Sequence, residues 1–193
     1  ENKPVVIVDP KYIRYTKHNR DKGSWLCTAH YNLRKTFPTI RKSIAVLAGR
    51  WSAPSKALIR SFGVEILEVP FEKMVDTMAE YGVVFDWKEK DKITPHKAWE
   101  TYVGLSQVDL QAIALELASE VMEKLKSDVT NVLDTDVSAI PLQVSSVEVL
   151  LKTQQGEMIL LTFPSVAASL QAMAQLVSDK PDMKGLLEKS GTY

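Results

Sequence analysis

Three short runs, Val5-Val6-Ile7-Val8, Ser43–Ala48 and Val64–Val69, are rich in apolar and β-branched residues and are each closed by turn or breaker residues. Runs of this length and composition read as buried strands. Helical signals fill the gaps between them. Ser24 is placed to cap a helix running to about Lys35, with Trp25, Leu26, Ala29 and Leu33 on one face and Pro38 as its stop. Ser52 and Pro54 start a second, short helix over Ser55–Ser61, closed by Gly63. A β-α-β-α-β order with both faces of the strands apolar requires a largely parallel sheet with right-handed crossovers, so the fold class is α/β.

The second half of the chain changes character. Phe71–Tyr81 reads as a helix ended by Gly82, and the polar stretch over 85–105 reads as a linker. Ser106 with Asp109 forms a capping-box variant ahead of a long amphipathic helix over 106–135. Its stripe is Leu110, Ile113, Leu117, Val121, Leu125 and Val129, a core or oligomer face at helical spacing. Val147–Leu151, the turn at Gln154-Gln155-Gly156 and Met158–Phe163 make a hairpin, and Ser165 caps a last helix. These form a small ββα accessory unit over 140–180, followed by a polar tail over 181–193.

Charge is distributed unevenly. The formal net charge is zero, yet between Lys11 and Arg60 there are six Lys and six Arg against Asp21 alone. All six arginines of the chain lie there, and the remainder is correspondingly acidic. Segregation of this kind is the electrostatic footprint of a polyanion partner, and arginine forks pair with phosphate in bidentate fashion. Nucleic acid, double-stranded DNA in the first instance, is therefore the expected partner. Arg14, Lys17, Arg20, Lys22, Arg34, Arg50 and Lys56 are its candidate contacts. Within Lys17–Trp25 the charges are assigned to phosphate and Trp25 to the core of the following helix. The loop after the second run, Gly49–Lys56, lacks the second Gly and the Lys-Ser/Thr pair of a nucleoside-triphosphate loop. The lone cysteine, Cys27, excludes an intramolecular disulfide and suits a reducing, cytoplasmic setting. It lies three residues before His30, but a buried Cys and a surface His are the ordinary reading of that pair. No apolar run is long enough to span a bilayer.

The first strand closes on Val8-Asp9-Pro10-Lys11. A carboxylate and a lysine two apart on a strand point to the same face. There the acid can hold a hard cation, Mg²⁺ or Mn²⁺, while the ammonium steadies a water or developing phosphate charge. With Asp9-x-Lys11 on the strand, followed by helix, strand, helix and strand, the first 84 residues resemble the restriction-endonuclease-like, PD-(D/E)xK, nuclease superfamily. The resemblance implies metal-dependent cleavage of phosphodiester bonds in DNA, with Asp9 as metal ligand, Lys11 as catalytic lysine and the Pro10 carbonyl as a further ligand. That family takes a further acid from a segment upstream of this strand, which leaves three alternatives: the chain is a C-terminal fragment, as a residue 1 of Glu rather than Met favours, a partner supplies the acid, or the nuclease is incomplete and inactive. Enzymes of that kind often act as homodimers to cut both strands. Two other readings fit the same residues: a non-catalytic nucleic-acid-binding module, and a homo-oligomeric protein in which the basic segment of one subunit meets the acidic half of another.

Overall fold

A computed structural model describes residues 3–136, 144–177 and 184–185. The chain divides into two compact units, residues 1–136 and 137–193. In the first, strands β1 (Val6–Ile13), β2 (Lys42–Gly49) and β3 (Glu65–Pro70) form a parallel sheet in the order β1-β2-β3. Helix α1 (Asn19–Thr36) joins β1 to β2, and α2 (Ala53–Ser61) joins β2 to β3. The α/β class and the parallel sheet are thus as the strand–helix alternation requires.

Alternation along the strands decides which helices cover which face. Ala45 and Leu47 of β2 join Ile13, Leu26, Cys27 and Ile59 in a core beneath α1 and α2. Ile44, Val46 and Ala48 point the other way, onto Leu67, Val69 and helices α3 (Phe71–Glu80) and α5 (Gln107–Asp134). Central β2 is covered on both faces, which explains its unbroken apolar run. The stripe on α5 meets this second face through Leu117, Val121, Leu125 and Val129. Ser106 and Asp109 exchange the two hydrogen bonds of a capping box at its start. At its other end the Arg41 guanidinium donates to the carbonyls of Val132 (2.7 Å) and Thr135 (3.2 Å). Beside it, Asp128 is buried against Lys42 (2.9 Å) and Lys124 (2.5 Å), and Glu65 accepts from the same two lysines.

Three local features differ from the sequence expectations. Strand β1 does not end at Asp9–Lys11 but runs through them to Ile13. The carbonyls of Val5 and Ile13 accept from Arg41 and Arg50 on the β2 side, so odd-numbered residues of β1 turn their peptide groups to β2. Even-numbered Pro10 then faces the open edge, where its missing N–H removes nothing from the ladder. Helix α1 begins at Asn19 rather than Ser24. Asn19 is buried and donates to the carbonyls of Thr16 and Arg50 while accepting from the Ser52 amide, so the helix start is tied to the β2–α2 loop. Ser24 instead donates back to the Arg20 carbonyl. Finally, the segment read as a linker contains helix α4 (Ile93–Val103). The Asp91 carboxylate accepts from the amides of Ile93 and Thr94, and Pro95 sits in the first turn, where it displaces no intrahelical bond. Ala98 of α4 packs with Met78, Val83 and Ile113.

The second unit is a hairpin, β4 (Val147–Lys152) and β5 (Met158–Phe163), with α6 (Val166–Leu176) on one face. Val147, Val149 and Leu151 share that face with Ile159, Leu161, Phe163 and Ala172. The ββα reading therefore describes the second unit, whose remaining residues, with most of the tail over 181–193, lie outside the described residues. Among the described residues, no helix is long and apolar enough to cross a membrane.

Candidate functional site

Because Asp9 and Lys11 are two apart on β1, both side chains rise toward α1. The Lys11 ammonium lies 3.0 Å from one carboxylate oxygen of Asp9. The other oxygen lies 3.6 Å from Nε2 of His30, which α1 delivers from above. His30 is 1% exposed, and neither ring nitrogen has a hydrogen-bond partner among the described residues. Burial pushes its imidazole below the usual histidine range, with the Asp9 carboxylate acting in the opposite direction. The ring is thus neutral near pH 7, one nitrogen facing Asp9. The expectation of a surface histidine is corrected: β1 and α1 pack closely enough to enclose it. Periodicity contained the signal, since Asn19, Gly23, Leu26, Cys27 and His30 share one side of the helix, and these are the residues that α1 buries. Cys27 is not a nucleophile here. Its buried thiol approaches the Leu58 carbonyl at 3.9 Å, and burial raises its pKa, keeping it protonated.

Asp9 and Lys11 open into a cleft of about 540 Å³ between β1 and α1, whose wall also carries Lys22, Trp25 and Thr28. The sequence pattern assigns Trp25 to the core, yet it is 76% exposed. The helix starts five residues earlier than Ser24 and turns the Gly23–Leu26–Cys27–His30 side inward, which leaves Trp25 on the cleft side.

The structure separates the other predicted contacts. Arg14 donates to the Phe85 carbonyl (2.9 Å) and lies 3.4 Å above the Trp87 ring, inside a cluster that includes Phe71 and Phe85. Arg50 pairs with Asp86 at 3.0 Å and stacks 3.9 Å over Phe71. Lys17 pairs with Glu89, and Lys56 with Glu68 at 2.8 Å. Arg34 donates to the carbonyls of Phe62 and Gly63. Only Arg20 and Lys22, of the seven, have side chains without a partner among the described residues, and only Lys22 shares the cleft with Asp9. Glu68, Asp86 and Glu89 all come from beyond residue 60, so folding brings much of the opposite charge back beside the basic segment. The loop after β2 is also engaged: the Trp51 indole donates to Ala48 and the Ser52 amide to Asn19.

For a hard cation the chain offers the Asp9 carboxylate and the Pro10 carbonyl, which faces the open edge. Mg²⁺ keeps several waters and takes substrate phosphate, so two protein oxygens suit it. No group of three His, Cys, Asp or Glu side chains that could hold a metal occurs among the described residues. No family model, curated protein or solved structure matches this chain.

Proposed function

We propose that the chain is a restriction-endonuclease-like nuclease core that binds nucleic acid and hydrolyses phosphodiester bonds with Mg²⁺ or Mn²⁺ at the Asp9 cleft. The observation that supports this reading most is the Asp9–Lys11 pair, held 3.0 Å apart on an edge strand and opening into a cleft beside an unpartnered lysine. Asp9 and the Pro10 carbonyl would hold the cation. When bound, it would supply Lewis-acid stabilisation of the phosphate and a more acidic water. Lys11 lies where its ammonium can donate to an attacking water or to a non-bridging phosphate oxygen. The neutral His30 adds no second positive charge beside Asp9, so the carboxylate keeps its capacity for a cation. Lys22 and Arg20 attract the phosphate backbone.

The test is cleavage of duplex and single-stranded DNA in the presence of Mg²⁺. Asp9→Ala and Lys11→Ala should each lower the rate by about 100-fold or more. Cleavage that survives both substitutions sinks the catalytic reading. A second reading, a non-catalytic nucleic-acid-binding module, is favoured by the fact that Asp9 is already paired with Lys11 and that no group of three His, Cys, Asp or Glu side chains able to hold a metal occurs among the described residues. It expects salt-sensitive binding without metal dependence and without cleavage. A homodimer would need a surface other than the α5 stripe, which lies against the sheet; sedimentation of the purified chain measures this directly.

A further inference from the structure

The cleft contains one feature that phosphodiester chemistry does not use. Trp25 belongs to none of the buried clusters, and its indole stands 76% exposed in the same wall as Asp9 and Lys11. Exposure alone marks no site, since single exposed apolar side chains are ordinary; it is the ring's place in one wall with Asp9, Lys11 and Lys22 that makes it available to a partner. On α1, Lys22 lies one turn before Trp25 and Thr28 one turn after it, so the three share a face. The cleft thus presents a carboxylate–ammonium pair, a free ammonium and a flat ring within one small space.

Those groups match a strand whose bases are free. In a duplex every base face but those of the two end pairs is already covered by its neighbours, and the outer surface offers sugar, phosphate and groove edges. A single strand offers an indole base faces along its whole length, a duplex at its ends alone. Among the described residues the neutral polar groups of the cleft wall are the Thr28 hydroxyl and the Trp25 N–H, so there is little to read a base edge and the stacking is tolerant of sequence. We propose that the Asp9 cleft takes a single-stranded polynucleotide, with an unpaired base stacked on Trp25 and the adjoining phosphates at Lys22 and Lys11. The phosphodiester part of this rests on the function proposed above; the binding part does not.

The experiment is fluorescence anisotropy in EDTA, with fluorescein-labelled oligothymidylate, oligouridylate and a blunt DNA duplex of equal length. The whole chain is compared with Trp25→Ala and Trp25→Phe, both with folding checked by circular dichroism. The chain should bind a single strand more tightly than the duplex. Trp25→Ala should weaken single-strand binding by about ten-fold or more and change duplex binding by less than about two-fold, because phosphate contacts remain. Trp25→Phe should recover most of the loss. This pattern with either oligonucleotide supports the proposal. Equal or tighter binding of the duplex, or equal effects of Trp25→Ala on single strand and duplex, overturns it. Binding is read without metal, so that outcome leaves the cleavage reading intact, whereas cleavage retained in Asp9→Ala removes the cleavage reading and leaves the stacking result standing.

Discussion

Asp128 offers the cleanest test of what holds α5 against the sheet. Its carboxylate is 5% exposed, 2.9 Å from the Lys42 ammonium at the start of β2. At an effective dielectric of about 20, unit charges at that distance attract by roughly 6 kcal/mol. Removing the carboxylate from water offsets most of this, and charge-assisted hydrogen bonds of this kind leave a net of about 1.5–3 kcal/mol. The second contact, to the half-exposed Lys124 ammonium, falls within that net rather than adding to it. Glu65 still holds both lysines in a variant, so neither cation is stranded. Asp128→Asn should therefore destabilise the first unit by about 2 kcal/mol. All four tryptophans, Trp25, Trp51, Trp87 and Trp99, lie in that unit, so urea unfolding followed by tryptophan fluorescence reports on it. The effect has a pH signature. Burial pushes the Asp128 carboxyl up, but hydrogen bonds from Lys124 and Lys42 outweigh it and leave the group below its ordinary value. Its contribution is present in full above the unfolded value of about 3.9 and is lost as pH falls through the lower folded value. On the alkaline side, burial lowers Lys42, but hydrogen bonds to Glu65 and Asp128 carry it above its ordinary value. Its stabilisation is present below the unfolded value of about 10.4 and fades as pH rises through the folded one. A loss below about 0.5 kcal/mol at neutral pH, or a deficit that does not shrink toward acid pH, would refute the argument.

Two further substitutions test how the loops at the carboxyl end of the sheet are built. Gly49 has φ +94°, and a Cβ there would stand 2.1 Å from the Ile13 carbonyl oxygen, which accepts from the Arg50 amide. Gly49→Ala should cost roughly 3 kcal/mol or more, from left-handed strain together with a forced separation of β1 from the loop, read by the same urea titration. Asn19→Ala removes three hydrogen bonds from a buried side chain and strands the Ser52 amide. It should cost about 2–3 kcal/mol and raise hydrogen exchange at the first turn of α1 and at Ser52.

Local pattern was sufficient for what depends on local pattern. The unbroken apolar run of β2, the caps at Ser52, Ser106 and Ser165, and the stripe on α5 could all be read from residue spacing, because helix and strand periods are properties of the backbone. The same holds for Asp9 and Lys11 on one face: residues two apart on a strand share a side wherever the strand lies. Other features depended on which distant residues came together. Asn19 begins α1 because Ser52 and Arg50, more than 30 residues away, complete its hydrogen bonds. Pro10 sits inside a strand because no fourth strand is paired beyond β1 among the described residues. The segment with α4 reads as polar, yet Ala98 packs against Met78 of α3 and Ile113 of α5. The basic segment shows this dependence most clearly. In sequence its twelve cations face one acid; in the fold, Glu65, Glu68, Asp86, Glu89 and Asp128 come beside several of them. Sequence alone determined that the chain carries a parallel α/β sheet and a carboxylate–lysine pair on its first strand. Tertiary structure alone decided that His30 lies against that pair, that Trp25 stands out in its cleft, and which cations remain free, because burial and Coulomb pairing depend on distance in space rather than along the chain.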